Sequence, residues 1–146
     1  MTRTCSRRWG RILLLAAGLL AAAACGSGLP RTHPVKGRVV FKDGDGKLLQ
    51  GATVEFKSVT DPDISAEGEV QADGTFTIRS TSKDGRTTVE GAVAGEHRVR
   101  VIPPNPLEEQ GRRLIDPRLQ QFETSGLKVK VPGDEEVVLE VYRPRR

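Results

Sequence analysis

Cysteine is scarce in this chain of 146 residues, which contains only Cys5 and Cys25. Cys5 lies among N-terminal arginines and Cys25 follows an apolar run, so residues 26–146 contain no cysteine for a disulfide or a zinc site. The stability of a domain formed by those residues must therefore come from the packing of its core.

Histidine and aromatic residues are also few. The chain has two histidines, His33 and His97, and residues 26–146 contain five aromatic rings. No G-x-S-x-G or H-E-x-x-H pattern occurs, and we expect His97 to be a structural or solvated residue of a strand. The sequence therefore predicts a protein that is not an enzyme and that needs no cofactor.

A hydrophobic run long enough to cross a membrane is absent as well, because a spanning helix needs about 20 apolar residues. The run Ile12–Ala24 holds thirteen residues of Ile, Leu, Ala and one Gly, and four arginines without any acidic residue precede it. This order is typical of a secretory signal peptide, which we place at residues 1–24. Arg7 and Arg8 leave twin-arginine export open beside the general secretory route.

Small residues lead directly from the apolar run into Cys25. Ala21 to Ala24, followed by Cys25 and Gly26, resemble the lipobox of bacterial lipoproteins. This resemblance implies that Cys25 becomes the first mature residue and carries a lipid that anchors the protein in a membrane. Aspartate in the place of Gly26 retains many lipoproteins in the inner membrane, so the resemblance favours the outer membrane. The alternative is ordinary signal cleavage beside a free cysteine.

The positive charge of the chain belongs to its N-terminal segment. The 23 Lys and Arg residues exceed the 19 Asp and Glu residues by four, and the four arginines of residues 1–24 account for the whole excess. Residues 25–146 are therefore net neutral by formal count. A neutral domain gives no support to nucleic-acid binding, and we expect no nucleic-acid partner.

The remaining chain divides into a tether and one domain. Residues 25–34 are rich in Gly and Pro and are predicted to be flexible, whereas residues 35–143 form a domain of ordinary size. In that domain apolar and polar residues alternate in short segments separated by turn residues, which predicts strands. The predicted strands are 35–41, 52–57, 66–70, 76–78, 96–102, 127–131 and 137–142. This pattern predicts an all-β, seven-stranded, two-sheet sandwich.

The few aromatic rings are predicted to fill the core of this sandwich, since each can bury up to about 200 Å². The rings that follow the signal peptide are Phe41, Phe56, Phe76, Phe122 and Tyr142. Phe76 opens an alternating strand directly after a turn, so we expect its side chain to be buried.

Several segments resemble a known family. They are VKGRVVF at 35–41, GATVEF at 51–56, ADGTFTI at 72–78, GAVAGEHRVRV at 91–101 and TSGL at 124–127. Over residues 35–142 the chain is similar to the carboxypeptidase regulatory-like, transthyretin-like domain of small bacterial lipoproteins. The resemblance implies a transthyretin (prealbumin)-like fold and a non-catalytic accessory module of the cell envelope, structural or binding. Its partners would be the membrane, through the lipid, and an envelope protein or glycan.

An enzyme of the same fold is a further alternative. Hydroxyisourate hydrolase, a transthyretin-like enzyme, ends in Y-R-G-S and uses several histidines. This chain reads Tyr142-Arg143-Pro144 at the corresponding place, so the motif breaks after two residues, and the further histidines are missing. The resemblance therefore places an orphan hydrolase last among the hypotheses.

The loop 103–124 is long for a compact domain, and loops of this length are often functional. In one interpretation, Leu119 and Phe122 fold back over an open end of the sandwich and the charged residues are solvated. In the other, Arg112 and Arg113 contact an acidic or sugar-rich partner. The protein would then be a carbohydrate- or peptide-binding subunit that uses this loop.

Two further local patterns predict a short helix and a possible metal site. Asp116 as a cap and Pro117 at the first position predict a short helical turn in the long loop. Asp43 and Asp45 are weak Ca²⁺ candidates, because calcium prefers six to eight oxygen ligands and this pair has no EF-hand spacing. Ordinary turn chemistry is the alternative, and we expect no metal.

Overall fold

The computed structural model describes residues 29–42, 44, 49–133 and 136–145. The predicted signal peptide, the lipidation candidate Cys25 and the calcium candidates Asp43 and Asp45 lie outside the described residues. Strands make up 44% of the described residues and helices 8%, which confirms the all-β class.

The described residues form eleven strands and two short helical segments. The strands are β1 Thr32–His33, β2 Lys36–Phe41, β3 Thr53–Ser58, β4 Ser65–Glu69, β5 Thr75–Thr77, β6 Arg79–Thr81, β7 Thr88–Glu90, β8 Ala92–Val93, β9 Gly95–Ile102, β10 Leu127–Val131 and β11 Val137–Val141. The helical segments are α1 Glu109–Arg112 and a 3₁₀ turn, Pro117–Gln120.

The predicted count of seven strands is wrong for the described residues, because four short strands come in addition. The seven predicted segments are all strands with bounds that differ by at most one residue, and β1, β6, β7 and β8 were not predicted. The segment 79–93 contains mostly Ser, Thr, Gly and charged residues, so it carries little alternation of large apolar side chains. These strands pair through tertiary contacts that a local pattern does not report.

The strands are arranged in two larger sheets and one small pair. Six strands form an antiparallel sheet in the order β10-β9-β3-β4-β6-β7. Three strands form a second sheet in the order β11-β2-β5, in which β11 runs parallel to β2. The pair β1-β8 is antiparallel.

The first strand changes the predicted limit of the tether. Thr32 and His33 pair with β8 instead of belonging to a flexible segment, and the Thr32 hydroxyl donates to the Glu90 carbonyl at 2.9 Å. Two prolines, Pro30 and Pro34, flank this strand and give the segment the composition of a linker. The folded domain therefore begins earlier than residue 35.

Both larger sheets turn one face toward a single hydrophobic core. Alternation in β2 buries Val39 and Phe41, and alternation in β3 buries Val54 and Phe56. Further core residues lie in both sheets, in the connections between strands and in the long loop, among them Leu49, Val70, Phe76, Ile78, Val99, Val101, Ile115, Leu119, Val131, Leu139 and Val141. Burial of these apolar surfaces is the main source of stability, since the described chain contains no crosslink.

The aromatic rings follow the prediction with one exception. Phe41, Phe56 and Phe76 are buried, and Tyr142 packs partly buried against the core. Phe122 is half-buried and does not belong to the core cluster, so its predicted core position is wrong. The long loop carries this ring to the opposite side of the six-stranded sheet, where basic side chains lie over it.

The chain passes from one sheet to the other at Ile78. Its N–H donates to the Val35 carbonyl at 3.0 Å, and its carbonyl accepts from Gly91 N–H at 2.7 Å. Gly68 of β4 lies against this crossing, and a Cβ atom at Gly68 would collide with the Thr77 carbonyl oxygen. The absence of a side chain at Gly68 therefore permits the close approach of β4 and β5.

Candidate functional site: the outer face of the six-stranded sheet

The six-stranded sheet turns a charged face away from the core. Successive residues of a strand point to opposite sides, so the buried residues of each strand identify the alternate set that faces solvent. We call this set the outer face, and its charged members are Glu55, Lys57, Glu67, Glu69, Arg79, Glu90, Glu96, Arg98, Arg100, Lys128 and Lys130.

Charge is segregated across the outer face. The half formed by β10, β9 and β3 carries five basic side chains and two carboxylates, and we call it the cationic half. The half formed by β4, β6 and β7 carries three carboxylates and one basic side chain, and we call it the acidic half. Because residues 25–146 are net neutral, this segregation arises from placement and not from an excess of one charge.

Three basic residues stand in register on the cationic half. Lys57 of β3 lies opposite Arg98 of β9, and Arg98 lies opposite Lys128 of β10. Arg98 and Lys128 are exposed, and Lys57 is half-buried. We call these three residues the cationic row. Like charges directly opposite each other on adjacent strands destabilise a sheet, so this arrangement has a cost in stability.

The two carboxylates of the cationic half are already paired. Glu55 accepts from Arg100 at 2.6 Å (Nη2 to Oε2) and 2.7 Å (Nε to Oε2), a two-point contact of partly buried side chains. Glu96 lies 3.3 Å from Lys128, where both side chains are exposed. Within the described part of the chain, Lys57 and Arg98 form no ion pair.

Phe122 fixes the position of two of these basic side chains. The guanidinium carbon of Arg100 lies 4.6 Å from the centre of the ring, and Lys57 Nζ lies 5.6 Å from it. Both distances are within the range of cation–π attraction. The ring therefore supports Lys57 and Arg100 on a surface where long side chains would otherwise sample many rotamers.

The acidic half contains a groove of about 830 Å³ beside the crossing at Ile78. Its walls carry two carboxylates of β4, the Arg79 guanidinium and a set of hydroxyl groups, namely Thr53, Thr75, Thr77, Thr81 and Thr88. The hydroxyls of Thr81 and Thr88 lie 3.2 Å apart, and Gln71 Nε2 donates to the Glu69 carbonyl at 3.2 Å. The groove thus offers many hydrogen-bonding groups, and its lining is more polar than apolar.

The long loop is held to the domain by its apolar residues. Ile115 and Leu119 are fully buried, which confirms that Leu119 folds back onto the domain. Asp116 accepts from Arg118 N–H at 2.9 Å and caps the 3₁₀ turn, as its sequence pattern predicts. The helix α1 was not predicted, because its four residues contain no apolar stripe.

Arg112 and Arg113 are both exposed at the end of α1. Arg113 forms an i,i+4 ion pair with Glu109 at 2.6 Å, and the Arg112 carbonyl accepts from Gln120 Nε2 at 3.2 Å. Neither arginine lines the groove of the acidic half. Their role as partner contacts stays a prediction.

His97 is a core residue. It is fully buried, its ring centre lies 5.9 Å from that of Phe56, and its Nδ1 lies 3.3 Å from the Gly95 carbonyl oxygen. Burial lowers the pKa of His97, whereas the contact with Gly95 opposes that change only in part. We therefore expect a neutral ring at pH 7.

Ser58 lies opposite His97 in the register of β3 and β9. Its hydroxyl accepts from Asp61 N–H at 3.1 Å, and among the described residues no hydrogen bond joins it to His97. In the same part of the chain, no group of three or more His, Cys, Asp or Glu side chains is placed to hold a metal ion. The calcium candidates Asp43 and Asp45 lie outside that part.

The strand register that forms the cationic row was not predicted from the sequence. Alternation alone places Lys57, Arg98 and Lys128 on the solvent side of their strands, but it does not state which residues stand opposite each other. Only the pairing of β3, β9 and β10 brings the three together.

Among the described residues, neither helical segment has the length and apolar character that a membrane-spanning helix requires. A comparison with known family models finds no match for this chain. Searches of curated proteins and of solved structures find no match either.

Proposed function

We propose that the protein is a non-catalytic, lipid-anchored protein of the cell envelope whose domain binds a partner through the outer face of the six-stranded sheet. The anchor is supported by the arginines, the apolar run and the small residues that precede Cys25. Six residues separate Cys25 from the first strand at Thr32, a reach of about 20 Å when extended. The domain would therefore stay close to the membrane, and Gly26 favours the outer one.

The transthyretin-like, two-sheet sandwich belongs to the same proposal. It is supported by the common core that the six-stranded and three-stranded sheets share. Packing of two sheets over one core is the ordinary way for an antiparallel domain of this size to bury its apolar faces.

The segregation of charge on the outer face is the observation that carries the binding function. A sheet face that served only as a solvated surface would be expected to intersperse both signs of charge, because opposite charges across strands are stabilising. The cationic row instead places like charges opposite each other on adjacent strands. It does so although the chain has equal numbers of acidic and basic residues after the signal peptide.

Binding of a carbohydrate or a peptide is the second candidate function, and the groove of the acidic half favours it. Hydroxyl, carboxylate, amide and guanidinium groups converge there, and they suit ligands that are rich in hydrogen-bond donors and acceptors. This assignment differs from the sequence-based hypothesis, in which the loop 103–124 was the binding site.

The anchor is tested by replacing Cys25. In cells given labelled palmitate, the wild-type chain should incorporate the label, and Cys25→Ala should not and should accumulate as an uncleaved precursor. Cys5→Ala is the matched control, because it removes the other cysteine of the chain and should leave labelling unchanged. Equal labelling of wild type and Cys25→Ala would remove the lipoprotein proposal.

A further inference from the structure

We propose that the cationic row binds an acidic polysaccharide, a polymer whose sugars carry carboxylate groups. The inference rests on the proposed binding function and names its partner. Lys57, Arg98 and Lys128 lie side by side on three neighbouring strands, and strands in a sheet are spaced by about 4.8 Å. The row therefore presents a line of positive charge across the sheet, suited to a chain that repeats a negative group.

The loss of stability caused by like charges in the cationic row supports a binding role for these residues. Three basic residues in register repel one another, and the nearby carboxylates Glu55 and Glu96 pair with Arg100 and Lys128. Arg98, at the centre of the row, is exposed and has basic neighbours on both sides. An anionic ligand placed over Arg98 would relieve this repulsion, and that relief is available only in the complex.

The surroundings of the row favour a polysaccharide over a membrane surface. On the next strand Ser65 stands opposite Lys57, so a hydroxyl group continues the row where the positive charge ends. A sugar polymer can use both charged and hydroxyl partners. A planar anionic bilayer would also meet the acidic half of the same face, where Glu67 and Glu69 would repel it.

Nucleic acid fits the row less well. Binding of single strands relies on aromatic rings on which bases stack. On the cationic half the ring of Phe122 is covered by Lys57 and Arg100, so that face of the ring is occupied. Phe122 instead holds two basic side chains in place, which reduces the entropy lost when a ligand binds.

The experiment uses the full chain in detergent and polygalacturonate as the probe, with neutral dextran as the control polymer. Wild-type protein should bind polygalacturonate, with an affinity that falls as salt rises, and should not bind dextran. Arg98→Glu should weaken the binding at least fivefold. Arg86→Glu is the matched control, since Arg86 is an exposed residue outside the six strands and the same charge change there should leave the affinity within twofold.

A second readout separates this proposal from a structural role for Arg98. Arg98→Glu places a carboxylate between Lys57 and Lys128, so it should raise the midpoint of thermal unfolding by about 2 °C while binding falls. A lower midpoint for Arg98→Glu would contradict the proposal, because it would mean that the row contains no repulsion for an anionic ligand to relieve. Arg98→Gln, which removes the charge without reversing it, should give an intermediate affinity.

Other results would overturn the inference. They are unchanged binding by Arg98→Glu, an equal loss with Arg86→Glu, no binding by the wild type at low salt, or stronger binding to phosphatidylglycerol vesicles than to polygalacturonate. None of them bears on the lipid anchor, which palmitate labelling of Cys25 tests separately. Failure of the ligand and failure of the anchored-protein proposal can therefore be distinguished.

Discussion

The two faces of β3 and β9 differ in what determines their residues. On the inner face Val54, Phe56 and Val99 are fully buried, and close packing of the core limits the size and shape of each side chain. On the outer face of the same strands, Lys57 and Arg98 repel each other across the sheet. Packing of the inner face therefore contributes most to the stability of the domain. Residues of the outer face can serve ligand binding even where their charges lower that stability.

The largest expected effect is at Phe76, which lies on β5 of the three-stranded sheet and belongs to the same core as the inner face of β3 and β9. Its side chain is 2% exposed, so Phe76→Ala should lower the free energy of unfolding by about 3–5 kcal/mol, the usual cost of truncating a buried Phe. Thr77→Ala is the control, because Thr77 is the exposed neighbour on the same strand and its loss should cost less than about 1 kcal/mol. Chemical denaturation monitored by circular dichroism measures both. A loss below about 1 kcal/mol for Phe76→Ala would mean that packing of the core does not dominate stability.

Phe76 also shows how far the sequence predicts this fold. Alternation of apolar and polar residues is a local property, so it identified seven of the eleven strands of the described residues and the faces that they bury. Phe122 was misplaced by a different argument, because the scarcity of aromatic residues favoured a core position for it. The loop instead brings that ring against Arg100 on the outer face, a contact between residues distant in sequence. The cationic row depends in the same way on long-range pairing, which a local pattern does not contain.

The long loop repeats the contrast between the two faces on a smaller scale. Leu119 is fully buried, so Leu119→Ala should cost about 2–4 kcal/mol. Phe122 is half-buried under basic side chains, so Phe122→Ala should cost only about 1 kcal/mol, from lost cation–π contacts and partial burial. The two single variants, compared in the same denaturation experiment, test whether the loop is held by its core-facing residue. Equal costs for both variants would contradict this division.

As pH falls, the domain should first lose the stability that depends on a neutral His97 on the inner face, before the surface carboxylates are protonated. Burial lowers the pKa of His97, so protons bind the unfolded chain more readily than the folded one. The stability from the neutral ring is therefore complete above the unfolded value of about 6.5 and is lost as pH falls below it. Between pH 6.5 and 5.5 the loss should be at most about 1.4 kcal/mol. His97→Gln should remove this slope, and a slope that persists in the variant would assign it to another group.

A second acid transition should lie at lower pH and be shared by wild type and His97→Gln. The pKa of Asp63 is lowered by its hydrogen bond and charge contact with Lys83, and the pKa of Asp73 is lowered by hydrogen bonds from Thr75. For these groups the stabilising contribution is present above the unfolded value of about 3.9 and is lost as pH falls through the lowered folded values. Denaturation midpoints from pH 7 to pH 2 separate the two windows.

The smallest effect on stability is expected at Arg112 and Arg113. Both side chains are exposed, and the ion pair of Arg113 with Glu109 is a surface i,i+4 pair of the kind that contributes about 0.3–0.5 kcal/mol. Arg112→Ala with Arg113→Ala should therefore change the free energy of unfolding by less than about 0.5 kcal/mol. The same double variant should bind polygalacturonate as the wild type does, because the cationic row lies on β3, β9 and β10 and not on the loop. A clear loss of binding with unchanged stability would instead identify the loop as the binding site, and the outer face would then lose the function proposed for it.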